Sequence, residues 1–477
     1  MDPALLGELA QCLQNTLSPD AAVRKASEQM LENGESQHGF PIMLLMLSKA
    51  ENQPEIVQIT ASISFKNFVK KHWRLTENTD DIIGEDVRSQ IRGSIIEIML
   101  SSKDKIQKQI CEAIGLIGLR DFPERWPDLT KQLAGHLSQS GRTDIRTAKG
   151  ILQTASSLFN RYRNEFQTEK LIREIILVLD NFAQIFTDFS SSLVAAVCDN
   201  PQSVSADMMN CLYLTVDVFY SLNFQDLPEF FEVNMQTWMA HFDKVLKLQI
   251  PNSGSSEPGE KKSLDEVKAI ICETVAMYAQ KYSEEFSPYL PTFVTDIWQV
   301  LEAAGQKAKC DQLASTAIQF LASIADRPAY ANLFADPNAL KSICENVVLP
   351  NLYFRDEDEE DFEDNPEQYI RSDLEGADAD TRRRAACELV KALNRNFEAQ
   401  LVQHFSQYIV AMLDRYSQNK AEWKCKDTAI YLVTSIASKG QTQKHGTTKA
   451  SELVNVQDFF VQHILPDISD SDGKLFT

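Results

Sequence analysis

Thr60, Ser64, Asn67, Lys71 and Arg74 recur every three or four positions. That spacing places them on one face of a helix, where hydroxyl, amide and cationic groups can hydrogen-bond or ion-pair with a docked surface. None stands beside a general base, so the chemistry they offer is recognition rather than bond breaking. The competing reading is a solvated face, since most polar helix faces meet only water. A second concentration of charge runs from Asp356 to Glu367, with nine carboxylates and no basic residue. Such a block repels itself and is expected to resist helix packing as a solvated loop. Alternatively it draws in a basic partner through Asp356, Glu357, Asp358, Glu359, Glu360 and Asp361, with Phe362 and Tyr369 beside them.

Catalytic and metal chemistry find little support. The nine cysteines are scattered singly, with no Cys-x-x-Cys pair, and the seven histidines are dispersed. This predicts buried thiols in a reducing compartment, with no zinc site, disulfide or cofactor. Gly115-Leu116-Ile117-Gly118 lies in an apolar run and lacks both the preceding strand and the lysine of a phosphate loop, so it reads as close helix packing. Thr381-Arg382-Arg383-Arg384 could grip a phosphate. Following Asp378 and Asp380, it reads instead as a helix start with local ion pairs. An enzyme is not expected.

Helices must position these groups. Apolar residues recur at helical spacing throughout, as at Ile56, Ile59 and Ile63 with Phe65 and Phe68, and strand-like alternation is rare. Helix pairs follow one another at roughly 40-residue intervals, the period of HEAT repeats. The early pairs are placed at 4–17 with 19–32, 40–50 with 54–73, 81–100 with 103–119, and 127–138 with 143–161. Ser18-Pro19-Asp20 and Trp126-Pro127-Asp128 supply helix-start chemistry. The fold class is therefore all-α, an α-solenoid of HEAT repeats forming a superhelical arch. Residues 251–263, rich in Gly, Ser and Pro, read as a flexible loop.

With 477 residues the chain exceeds one compact core. Its net charge of −21 disfavours nucleic acid and favours basic protein partners. No apolar stretch reaches the ~20 residues of a membrane span, and no leader is evident, so a soluble intracellular protein is expected.

The amino-terminal region resembles the importin-β superfamily of nuclear transport receptors. The likeness rests on Arg24-Lys25-Ala26-Ser27-Glu28, followed by a helix with Lys66-Asn67 and Trp73. More specific blocks are Asp121-Phe122-Pro123-Glu124-Arg125-Trp126-Pro127, Leu222 to Glu232, Tyr278 to Tyr282, Ile318 to Ser323, and Asp373 to Ala386. These resemble the branch that returns importin-α to the cytoplasm, over essentially residues 1–466. Members of that branch continue with further repeats beyond this point. The present chain is thus expected to be an amino-terminal arch whose last pair exposes apolar surface, with a polar tail from Asp467 to Thr477.

The resemblance implies a receptor that shuttles between nucleus and cytoplasm and binds Ran-GTP and importin-α, with nuclear pore proteins as further partners. It implies Ran contact through the second helices of the first three pairs, by Arg24 and Glu28, then Thr60, Ser64, Asn67 and Lys71, then Lys108 and Glu112. Arg24 and Asn67 have a rival role in bonding neighbouring turns, and Trp73 is read as packing. The implied organisation is a Ran-binding region at 1–120, further repeats at 121–355, an acidic insertion at 356–372, and more repeats at 373–477. A generic HEAT scaffold that ignores Ran, or a partial competitor, is the alternative.

Overall fold

The computed structural model describes residues 3–73, 82–140, 144–250, 262–371, 381–437 and 451–468, and all regular structure among them is helical. Arg74, residues 251–261 of the expected loop, residues 372–380 and the tail from 469 lie outside the described residues. Two compact units divide the chain. The first is Met1–His241 with Ile250–Lys262, and the second is Phe242–Gln249 with Ser263–Thr477.

The first unit begins with α1 (Pro3–Asn15) and α2 (Ala21–Gly34), then α3 (Phe40–Ser48) and α4 (Glu55–His72). Next come α5 (Glu85–Ser101) and α6 (Asp104–Asp121), α7 (Leu129–Ser140) and α8 (Ile145–Phe159), and α9 (Glu169–Asp199) with α10 (Ala206–Asn223). The expected pairs are therefore present, with ends shifted by a few residues. Side-chain oxygens accept backbone N–H groups at many starts: Asp20 at α2, Asp144 at α8, Thr168 at α9 and Ser205 at α10. At α2 the cap is Asp20 rather than Ser18, so Pro19 precedes the cap instead of opening the helix.

The apolar stripe of α4 differs from the expected one. Its buried face is Val57, Ala61, Phe65, Phe68 and Val69, whereas Ile56 is 48% and Ile63 38% exposed. Both stripes have helical spacing, and the one carrying the two phenylalanines turns inward because large rings bury the most area. Trp73 caps α4 and is buried under the Arg88 guanidinium, 5.7 Å from its ring, which bears out its packing role.

Successive second helices lie side by side, α4 on α6, α6 on α8 and α8 on α10. Gly115 allows one of these approaches: a Cβ there would sit 3.0 Å from Ser157 Cβ and 3.2 Å from its carbonyl oxygen. The Gly115 to Gly118 segment is thus helix packing, as expected. Lys149 on α8, almost fully buried, reaches Asp207 of α10 at 2.6 Å and Asp104 of α6 at 3.3 Å. Burial alone would depress its ammonium, but the two carboxylates outweigh that and raise it. Further along, α11 (Glu229–Val233) and the start of α12 (Met235–Lys247) complete the series, while α12 from Phe242 onward belongs to the second unit. Phe186, Phe219 and Phe231 close around Trp238, with centroids 5.2, 4.3 and 5.8 Å away.

In the second unit α13 (Leu264–Lys281) opens with a Ser263/Glu266 capping box. After it come α14 (Ser283–Phe286), α15 (Leu290–Ala304), α16 (Asp311–Ala325), α17 (Pro337–Ile343) and α18 (Leu349–Leu352). The series continues with α19 (Asp356–Asp364), α20 (Pro366–Ile370), α21 (Arg382–Gln418, broken at Phe397) and α22 (Trp423–Ala437). Here α13, α16, α21 and α22 stack in sequence. The nine cysteines are all free thiols and seven are buried; desolvation pushes Cys111 and Cys272 up to about 12, far from nucleophilic. Among the described residues no helix is long and apolar enough to cross a membrane.

Replacing Gly115 by Leu should overpack the α6–α8 contact and cost about 1–3 kcal/mol, read as a lower midpoint in urea.

Candidate functional site

Two sets of residues were singled out by sequence, and they lie in different units. For the first, the frame is α2, α4 and α6. Helices α4 and α6 run in the same direction, because Glu55 meets Lys103 at 3.7 Å near their starts and Lys66 meets Glu112 at 2.8 Å further along. This brings Thr60 and Ser64 onto the helix adjacent to the one carrying Lys108 and Glu112. Helix α2 is tied to α4 through Glu35, which accepts from Lys71 at 2.6 Å and meets His72 Nε2 at 2.8 Å. Burial would push the Glu35 carboxyl up, but the hydrogen bonds from Lys71 and His72 outweigh it and hold it below the usual range. The same bond raises the Lys71 ammonium.

These contacts sort the eight residues. Arg24 donates to the Ser18 and Pro19 carbonyls at 2.7 and 2.9 Å, the rival structural role stated for it. Thr60 donates back to the Ile56 carbonyl at 2.8 Å, Lys71 is paired with Glu35, and Glu112 with Lys66. Ser64 is half-buried, while Glu28, Asn67 and Lys108 are exposed. Ile56 and Ile63, expected on the apolar stripe, share the outer strip of α4 with Thr60 and Asn67 instead. The signal was available: they stand seven apart, two helical turns, as do Thr60 and Asn67.

The acidic segment departs from expectation. Instead of a loop that resists packing, residues 356–364 form α19, and Asn365 caps α20. Two effects make this possible. Four carboxylates occupy the first turn, where the helix dipole favours negative charge. Cations also neutralise the inner side. Lys424 of α22 contacts Asp356 at 2.6 Å and Glu359 at 2.9 Å, and Arg355 bonds Asp358 and, bidentately, Asp311. Phe362 packs on Tyr369, which packs on Phe354, anchoring the pair of short helices. Of the six residues put forward for a basic partner, Asp356, Asp358 and Glu359 are therefore already paired, and Glu357, Glu360 and Asp361 face outward.

The arginine run opens a helix, as expected, with Thr381 as cap, and two of its guanidiniums also reach distant elements; Asp378 and Asp380 lie outside the described residues. Arg382, 4% exposed, bonds Asp311, Asn351 and the carbonyls of Gly305 and Lys307. Arg383 pairs with Asp427 and lies 3.9 Å over the Tyr431 ring. Both guanidiniums are committed to the fold, which removes the phosphate-binding reading. Among the described residues no group of three or more His, Cys, Asp or Glu side chains could hold a metal ion.

A family model described as Cse1 matches residues 158–476, and one described as Importin-beta N-terminal domain matches residues 27–101. Exportin-2 of Oreochromis niloticus and Exportin-2 of Homo sapiens are each 48% identical over 479 residues, covering 100% of this chain and 49% of theirs. The solved structure of the exportin Cse1 in its cargo-free, cytoplasmic state superposes with a TM-score of 0.89 at 35% identity, over 98% of this chain and 50% of that one. The chain spans about half the length of the curated relatives it matches. With the Cse1 match covering most of its length and the helix pairs stacked as in that exportin, the chain belongs to the Cse1 family, of importin-β-type nuclear transport receptors.

Proposed function

We propose that this chain is a portion of a nuclear export receptor that binds Ran-GTP and importin-α and returns importin-α from nucleus to cytoplasm. Membership of the Cse1 family carries this reading, together with the importin-β-type match at 27–101, which takes in just over half of α2 and all of α3, α4 and α5. The Ran surface is the exposed strip formed by α2, α4 and α6. Glu28, Asn67 and Lys108 offer it free polar groups, with Thr60 and Ser64 on the same helix as Asn67. Arg24, Lys71 and Glu112 hold the helices in register beneath the partner rather than supplying most of the contact energy. Nuclear pore proteins are further partners in this reading, and the protein shuttles. Stacked repeats suit the task, since each shares contacts only with its neighbours and small changes at successive interfaces can couple two binding surfaces.

The outward carboxylates Glu357, Glu360 and Asp361 are proposed to attract a basic segment of importin-α. The second reading, a HEAT scaffold indifferent to nucleotide, is favoured only by the share of polar residues already spent on internal bonds.

Titration with Ran-GTP and Ran-GDP, each with and without importin-α, tests the function. GTP-selective binding strengthened by importin-α is expected; equal binding of both nucleotide states would establish the scaffold. Within the surface, Asn67→Ala combined with Lys108→Ala should weaken Ran-GTP binding about tenfold with the melting temperature unchanged. Arg24→Ala should instead cost about 1 kcal/mol of stability, through its two lost carbonyl bonds. Substituting Glu357→Gln, Glu360→Gln and Asp361→Asn together keeps α19 and should lower importin-α affinity and flatten its salt dependence. An unaltered salt slope would remove the acidic helix from the interface.

A further inference from the structure

In the second unit two carboxyl groups meet where no function has been assigned. Asp296 on α15 is only 3% exposed, and its Oδ2 is buried with no donor. Lys247 on α12 contacts both this carboxyl, at 3.3 Å, and that of Asp243, one turn back on α12, so the two carboxyls converge on one ammonium. One ammonium thus stands against two carboxyls. Two carboxylates against one ammonium leave a buried negative charge unbalanced and one oxygen without a donor, and a proton held between the carboxyls would remove both costs.

We propose that Asp243 and Asp296 form a proton-sharing pair that fastens α12 to α15 in acid and loosens as the pH rises toward neutrality. Below that range the proton sits between the carboxyls, on Asp296, and the pair carries one negative charge balanced by Lys247. Above it the proton leaves to water, and two negative charges face one positive charge. The other charged groups nearby do not replace the missing proton. Lys244 acts on Asp243 from α12 itself. Lys268 of α13, packed against α15, is turned to the Leu248 carbonyl at 2.9 Å. Asp311 of α16 is taken by Arg355 and Arg382.

The surroundings of each group push in the same direction. Burial first, then the Asp243 carboxyl, pushes Asp296 up from 3.8 to about 6. A group raised on folding stabilises most below its unfolded value, so this contribution is full in acid and is lost as pH rises through about 6. Asp243 is held below its ordinary value: burial opposes this, but hydrogen bonds from Asp296 and Lys247 outweigh it. Its own effect therefore falls at lower pH, outside the window.

Hydrogen exchange on the 477-residue chain, followed over residues 290–304 and corrected for intrinsic pH dependence, tests the pair. Between about pH 4.5 and pH 7 the opening of α15 should increase about tenfold in the wild type relative to α8. In Asp296→Asn, neutral at both pH values and able to donate to Asp243, that increase should vanish. Asp243→Asn, which removes the neighbouring negative charge, should also shrink it and serves if the first variant does not fold. An equal increase in α8 and α15 of the wild type, or an undiminished increase in the variants, would overturn the proposal.

Discussion

Side-by-side contact between successive second helices is the constraint on which the first unit rests. Each of α4, α6, α8 and α10 must bury the flanks that meet its neighbours, because no central core exists for all helices to share. This explains why glycine appears inside α6, where the Ser157 backbone comes close, and why Lys149 is buried in α8. A lysine between carboxylates from the repeat before and the repeat after is acceptable at that depth only with both partners in place. The same logic operates in the second unit, where Arg382 reaches back from α21 to Asp311 and to carbonyls near the end of α15.

Charge is distributed unequally by this use of cations. The chain has 47 Lys and Arg against 68 Asp and Glu, and several cations are turned inward to join helices. Lys66, Lys149, Arg163 and Arg383 each bridge separate elements, so their charge is largely withdrawn from the surface. Outward-facing carboxylates such as those of α19 are what remains.

Helix positions were legible because capping residues and apolar spacing are local properties, as in the Ser18-Pro19-Asp20 segment, where Asp20 caps α2. Which stripe of α4 faces inward was not, since Ile56, Ile59 and Ile63 fit the helical period as well as Val57, Ala61 and Phe65 do. Ring size and the shape of the neighbours decide that, and neighbours are a tertiary property. The acidic segment misled for a related reason: its neutralising cation Lys424 lies 68 residues from Asp356. Likewise the partners of Arg382 lie up to 77 residues away, out of reach of any reading by spacing. The candidate Ran surface was identified through resemblance, and the residues with free polar groups emerged only from the hydrogen-bond geometry.

Helix α9 is unlike its neighbours. Its 31 residues run about 46 Å, while α7, against which it begins, has 12. Asn181 reaches Thr130 of α7, Phe186 packs on Trp238 of α12, and Ser190 meets His241 at 3.1 Å. One continuous rod thus crosses more than one joint of the stack, as a splint crosses a wrist. Bending there would have to fracture the rod or strip it from its bed, so compliance must be concentrated in the joints on either side of it.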